Sequence, residues 1–103
     1  MTPAQGDIWW AEAEDKRRPV LVVTRSDAVP VLSRIVVAPV SRTIRGIPTE
    51  VTLGTSHGLP EDCVASFDNL QPIRLGFLTH RVGALAIDER QEICRALRAF
   101  ADC

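Results

Sequence analysis

The sequence predicts a mainly β fold: a small, strongly bent antiparallel barrel covered by one C-terminal α-helix, in a single domain over residues 1–103. Three observations predict it. At 103 residues, 46% hydrophobic and 24% charged, the chain holds enough apolar material for one core and too little for a second. Most of its length divides into five or more short apolar or alternating runs separated by Gly, Pro, Ser and Asp, the pattern of strands joined by tight connections. Helical spacing of apolar residues occurs only near the end.

Residues 6–13, GDIWWAEA, offset Ile8, Trp10 and Ala13 with polar or small residues, and their aromatic and branched content favours a strand. Residues 19–24, PVLVVT, form a continuous valine-rich run, expected to be a strand buried on both faces. Residues 26–33 are a loop punctuated by Pro30. The second continuous run, RIVVAPV over 34–40, contains Pro39, which cannot donate to a ladder and so predicts a sheet edge or a strand end. Residues 41–46, SRTIRG, read as an exposed turn leading into an alternating strand over 48–53. After the loop 54–60, GTSHGLP, come a short strand at 63–66, one helical turn at 68–70 and an extended segment over 72–81 interrupted at Gly76. Ile93, Ala96, Leu97 and Phe100 share a helical stripe, with Asp88 and Gln91 spaced as a capping box at its start.

Mean hydropathy is +0.06, and no apolar run approaches the roughly 18 residues that cross a bilayer. The N-terminus lacks the basic and apolar segments of a signal peptide, so a cytoplasmic location and no membrane partner are expected. Cys63, Cys94 and Cys103 are odd in number and far apart, which predicts reduced thiols and no zinc cluster. Net charge is −1, but it is unevenly spread. Residues 16–45 carry Lys16, Arg17, Arg18, Arg25, Arg34, Arg42 and Arg45 against Asp27 alone, while residues 1–15 and 46–73 carry only acids. Eleven of the twelve cations are arginine, whose planar fork suits bidentate phosphate contacts.

Arg18-Pro19 stands where Lys16-Arg17-Arg18 enters a buried strand, a rigid lip from which a guanidinium can grip a phosphate. Three solvated surface charges is the plainer reading of the same residues. Ser41, Arg42, Thr43 and Arg45 put hydroxyls and cations into one exposed turn, although turns are rich in Ser and Thr in any case. His57 and His80 invite an acid and base pair for RNA cleavage, but both are expected at the surface. Asp7, Glu12 and Glu14 could hold Mg²⁺; the ordinary explanation is the solvent face of a first strand. Trp9 and Trp10 alternate faces, one for the core and one for a subunit contact or a base-stacking surface.

The order of these segments resembles the MazF/PemK family of toxin endoribonucleases. The matching residues are Gly6-Asp7-Ile8-Trp9-Trp10, Arg18-Pro19-Val20-Leu21-Val22-Val23, Ile35-Val36-Val37-Ala38-Pro39-Val40-Ser41, Ile47-Pro48-Thr49-Glu50-Val51, Asp62-Cys63-Val64-Ala65 and Asp68-Asn69-Leu70, together covering about residues 6–85. The resemblance implies an SH3-like barrel with a terminal helix, a homodimer, and a type II toxin that cleaves single-stranded RNA at short sequences without a metal or other cofactor. It implies a 2′,3′-cyclic phosphate product and inhibition by a cognate antitoxin. Arg18 matches the family's catalytic arginine, and Ser41 falls where a threonine is usual, so both are expected catalytic residues. Lys16, Arg17, Arg42, Thr43 and Arg45 are expected to bind RNA, and an acidic disordered antitoxin segment is expected to compete for the same basic stretch. The loop before Arg18 is shorter than in many members. The general base stays open between His57 and a nearby carboxylate. The competing readings are a non-enzymatic barrel like the CcdB-type gyrase poisons, whose C-terminal pattern Ala101-Asp102-Cys103 lacks, and an SH3-like adaptor, for which the chain has few aromatics.

Overall fold

Continuous apolar runs become the central strands in the computed structural model, which describes residues 2–13 and 16–101. Among these residues the strands are β1 (Asp7–Ala13), β2 (Lys16–Val22), β3 (Arg34–Ser41), β4 (Glu50–Leu53), β5 (Cys63–Ser66), β6 (Gln71–Arg74) and β7 (Leu78–Ala84), followed by helix α1 (Gln91–Phe100). All pair antiparallel in the order β4-β5-β3-β2-β1-β7, with β6 alongside the first half of β3. The sheet curls into a half-barrel with β4 and β7 as its edges, and α1 packs against β4 and the 67–69 turn.

The valine run is buried on both faces, as its composition predicts. Leu21 and Val23 join Ile8, Ala38, Leu53, Phe67, Ile93 and Ala96 beneath α1, whereas Val20 and Val22 join Trp9, Ala11, Ile35, Val37, Ile73 and Leu78 on the other side. Burying side chains of this size is worth about 1.5–3 kcal/mol each, and β1, β2 and β3, which contribute to both clusters, are held from both faces.

Three expectations are corrected. Pro39 is neither at an edge nor at a strand end: it lies buried in central strand β3, opposite Val20. Residues 34–37 pair with β6, and Val40 and Ser41 pair with β5, so Pro39 falls where β3 changes partner and its missing N–H empties no ladder position. The strand expected over 48–53 begins only at Glu50, because Pro48 and Thr49 turn and the Glu50 N–H donates to the Ile47 carbonyl at 3.1 Å. Asp88 does not cap α1. Residues 87–89 form a 3₁₀ turn ahead of the helix, the Glu89 carboxylate accepts the Ala86 N–H at 2.8 Å, and the Ile93 N–H donates to the Arg90 carbonyl. The preceding turn thereby supplies acceptors that a side-chain cap would otherwise provide. Ile93 and Ala96 are buried, Leu97 is half-buried, and the stripe ends at a Phe100 that is 49% exposed.

The extended segment over 72–81 is divided by a 3₁₀ turn over 75–77, centred on the expected Gly76 interruption. No helix among the described residues is long and apolar enough to cross a membrane.

Candidate nucleic-acid interface

Strand alternation sorts the basic residues. On β2, Lys16, Arg18 and Val20 point to one face, and Arg17, Pro19 and Leu21 to the other. The first set opens onto a groove of about 970 Å³, whose walls also carry Arg34, Ser41, Thr43, Arg45 and Arg74. Ala11, Val20, Pro39 and Ile73 supply its apolar lining. Arg18 and Ser41 extend the register from the Val20–Pro39 pair, two residues before Val20 and two after Pro39, so one groove face presents both.

Five cations line this groove, and among the described residues none of them makes an ion pair; the ion pairs lie elsewhere. Arg34 stands directly opposite Arg74 in the β3–β6 ladder. Like charges opposed across a ladder cost about 0.2–1 kcal/mol. Arg17 and Arg42 do not line the groove. Arg17 pairs with Glu12 across β1–β2 at 3.1 Å, and Arg42 with Glu61 at 3.0 Å.

The Ser41 hydroxyl accepts the Thr43 N–H at 3.1 Å, which fixes Oγ and leaves its proton to donate outward. Two carboxylates also face the groove. Glu50 is buried and accepts the N–H groups of Arg45 and Gly46 at 3.1 and 3.0 Å. Asp68 accepts the Thr49 hydroxyl through Oδ2 at 2.6 Å, and its Oδ1 has no partner among the described residues. Asn69 donates to the buried Ser66 hydroxyl at 2.9 Å, and Gln71 lines the same wall.

His57, expected at the surface, is buried. Its Nδ1 accepts the Gly54 N–H at 3.1 Å, and its Nε2 lies 3.0 Å from Glu89, to which its N–H donates. The Ala86 N–H and the His57 side chain together hold the Glu89 carboxyl below its ordinary range. His57 is not part of the groove lining. His80 is exposed and stacks on Trp10 with centroids 6.2 Å apart, while Trp9 is a core residue donating to Asp7. Asp7 is further engaged by Arg81 and the Ala4 N–H; Glu14 lies outside the described residues. Burial raises the Cys63 thiol, with Asp62 and Glu61 adding to it. Cys94 is exposed, and Cys103 lies outside the described residues.

The sequence reading left Arg34, Arg74, Asp68, Asn69 and Gln71 out of the site. Arg34 was visible as part of the basic run, but Arg74 enters only through the register that sets β6 against β3.

An open cationic groove on a curled antiparallel half-barrel makes this a small β protein with a basic open face. A family model for the PemK-like, MazF-like toxin of type II toxin-antitoxin systems matches residues 4–101, and the chain belongs to that family. It is 41% identical over 103 residues to the probable endoribonuclease MazF5 of Mycobacterium tuberculosis, covering 98% of this chain and 94% of the relative. It is 37% identical over 83 residues to endoribonuclease MazF3 of the same species, covering 81% of each. Among solved structures, Mycobacterium tuberculosis toxin MazF-mt6 matches with a TM-score of 0.87 at 35% identity, covering 93% of this chain and 96% of that one. A mycobacterial endoribonuclease solved in complex with its cognate antitoxin shares the fold with a TM-score of 0.82 at 23% identity, over 95% of this chain and 93% of that one.

Proposed function

We propose that this toxin is an endoribonuclease that cleaves single-stranded RNA at a short sequence without a metal, leaving a 2′,3′-cyclic phosphate and a 5′-hydroxyl. The observation that carries the reading is the groove itself: Arg18 and Ser41 on adjacent strands, within a wall of cations that make no ion pair among the described residues. The relatives named above as endoribonucleases support the activity.

Adjacent antiparallel strands stand about 4.5–5.5 Å apart, so one phosphate can meet both side chains. The 2′-hydroxyl attacks phosphorus, its proton passes to a base, the P–O5′ bond breaks, and O5′ is protonated from solvent. Arg18 stabilises the charge that accumulates on the phosphoryl oxygens; a guanidinium with a pKa above about 12 is a poor base. Ser41 donates to a phosphate oxygen. Of the groove carboxylates, Glu50 is spent on backbone N–H groups, whereas Asp68 keeps Oδ1 for the proton. Asp68 takes the role left open between His57 and a carboxylate, His57 being buried away from the groove.

The working form is a homodimer, supported by the exposed apolar Val31, Leu32 and Val36, and the antitoxin inhibits it by laying an acidic disordered segment along the groove cations. Purified protein incubated with single-stranded RNA in excess EDTA, followed by end mapping and mass analysis of the fragments, tests the reaction. Cleavage with cyclic phosphate ends is expected; activity that vanishes with the chelator and returns with Mg²⁺ refutes the metal-free mechanism.

A further inference from the structure

The segment that brings Thr43 and Arg45 to the groove has no packing to hold it. Every residue from 42 to 48 is exposed, and a Cβ added at Gly46, whose φ is +68°, would meet nothing within 4 Å. Apart from the Thr43 N–H bond to the Ser41 hydroxyl, what holds it is a chain of hydrogen bonds that begins on the far side of the sheet. Arg95 of α1 donates from one terminal nitrogen to the Pro48 carbonyl at 2.7 Å and from the other to the Glu50 carbonyl at 2.9 Å, while its Nε donates to Glu92 at 3.1 Å. Glu50, fixed in this way at the start of β4, turns its carboxylate back to accept the N–H groups of Arg45 and Gly46.

The choice of residue at position 50 is informative. A buried carboxylate costs free energy unless it is well paired, and a carboxylate in the wall of a cationic groove also repels the polyanion it faces. Glu50 has no ion pair among the described residues and is satisfied by backbone donors of the exposed segment. Its placement is explained by what it holds.

We propose that Glu50 and Arg95 are positioning residues that fix the 43–47 segment, and with it Thr43 and Arg45, against the bound nucleic acid. The inference rests on the RNA reading above and extends it to groups that do not touch RNA. Arg18 sits on β2 and is held by the β1–β2 ladder, so loosening the segment weakens binding more than the charge stabilisation that Arg18 supplies.

The test uses Glu50→Gln, which keeps one acceptor and adds N–H donors facing N–H donors, and Arg95→Lys, which keeps the charge and loses the fork. The probe is a single-stranded 2′-deoxy oligonucleotide carrying the mapped cleavage sequence. For Glu50→Gln, Kd is expected to rise roughly ten-fold with kcat changed less than about two-fold. The slope of log K against log salt should fall by about 0.7, the share of one phosphate contact on a single strand, as Arg45 loses its place. In an Arg45→Ala background the same substitution should add less than about two-fold, since neighbours in one network are not additive. Arg95→Lys should give an intermediate rise in Kd. Amide exchange at Arg45 and Gly46 should quicken in both variants while the exchange of β2 and β3 holds, a pattern that general destabilisation does not produce.

Unchanged exchange at Arg45 and Gly46 overturns the tether. Faster exchange with unchanged Kd and salt slope overturns its link to binding, as does a fall in kcat with Kd intact. Wild-type protein that binds no nucleic acid refutes the functional reading and the binding half of this inference together, and the exchange data then still decide the tether.

Discussion

Replacing Gly83 by alanine tests how tightly β7 is pressed against the 54–58 turn. A Cβ at Gly83 would lie 1.9 Å from the His57 carbonyl oxygen and 2.6 Å from its carbon. Real contacts of this kind stay beyond about 3 Å, so the carbonyl must retreat by about 1 Å in a close-packed interior. It is poorly free to do so. His57 donates its N–H to the Gly54 carbonyl, its ring bridges Gly54 and Glu89, and a Cβ on Gly58 next to it, at φ +86°, would lie 2.3 Å from the Val82 carbonyl oxygen. Overpacking costs about 1–3 kcal/mol, and the upper end is expected because the obstacle is backbone and not a movable side chain. For a chain of this size that is a fall in Tm of roughly 10–20 °C. Gly76→Ala is the control: nothing lies within 4 Å of its Cβ, and stability should stay level or rise by about 0.5 kcal/mol through the unfolded chain. Thermal melts by circular dichroism and urea unfolding provide the measurement. A Gly83→Ala loss below about 1 kcal/mol, or a Gly76→Ala loss as large as that at Gly83, refutes the close-approach argument.

Arg18→Ala should remove most cleavage and leave the far-ultraviolet spectrum unchanged, and Ser41→Ala should cost less because other donors reach the phosphate; a folded Arg18→Ala protein with near-normal turnover sinks the assignment. Lys16→Ala and Arg74→Ala should each flatten the salt dependence of RNA binding by about 0.7, whereas Arg17→Ala and Arg42→Ala, on ion-paired residues outside the groove, should leave it nearly unchanged in titrations at several ionic strengths. Glu89, whose folded carboxyl is depressed, contributes stability that is present above its ordinary value of 4.5 and is lost as pH falls through the folded pKa. Urea midpoints between pH 3 and 6 should therefore drop more steeply with acid in the wild type than in Glu89→Gln, and parallel curves would count against the pairing with Ala86 and His57.

The readable part of the fold is the part written by burial. A strand covered on both faces must be apolar at every position, so the runs over 19–24 and 34–40 declare themselves, and a helix covered on one face declares itself through Ile93, Ala96 and Leu97. Pro39 was misplaced because the rule confining proline to edges assumes that a strand keeps one partner along its length; β3 changes from β6 to β5 at that residue, which is a tertiary fact. The same limit hid His57. A histidine between glycines reads as a surface loop, and the partner that completes the pairing of its buried ring, Glu89, lies 32 residues away.

For the groove, local charge counting pointed to the right stretch and overstated its uniformity. Lys16, Arg17 and Arg18 are consecutive, yet period-two alternation sends the middle one to Glu12 on the other face and leaves its neighbours without an ion pair among the described residues. That division is available from the strand assignment alone. The rest is not, because it depends on register: the excess of positive charge over 16–45 includes Arg17 and Arg42, answered by Glu12 and Glu61 outside the stretch, and Arg25, answered by Asp27 within it, and omits Arg74, which is brought opposite Arg34. What makes the groove attractive to a polyanion is therefore not how many bases the segment holds but which of them the ladder leaves without an acid, and Glu50, the buried carboxylate among them, uses its oxygens on the backbone that carries Arg45.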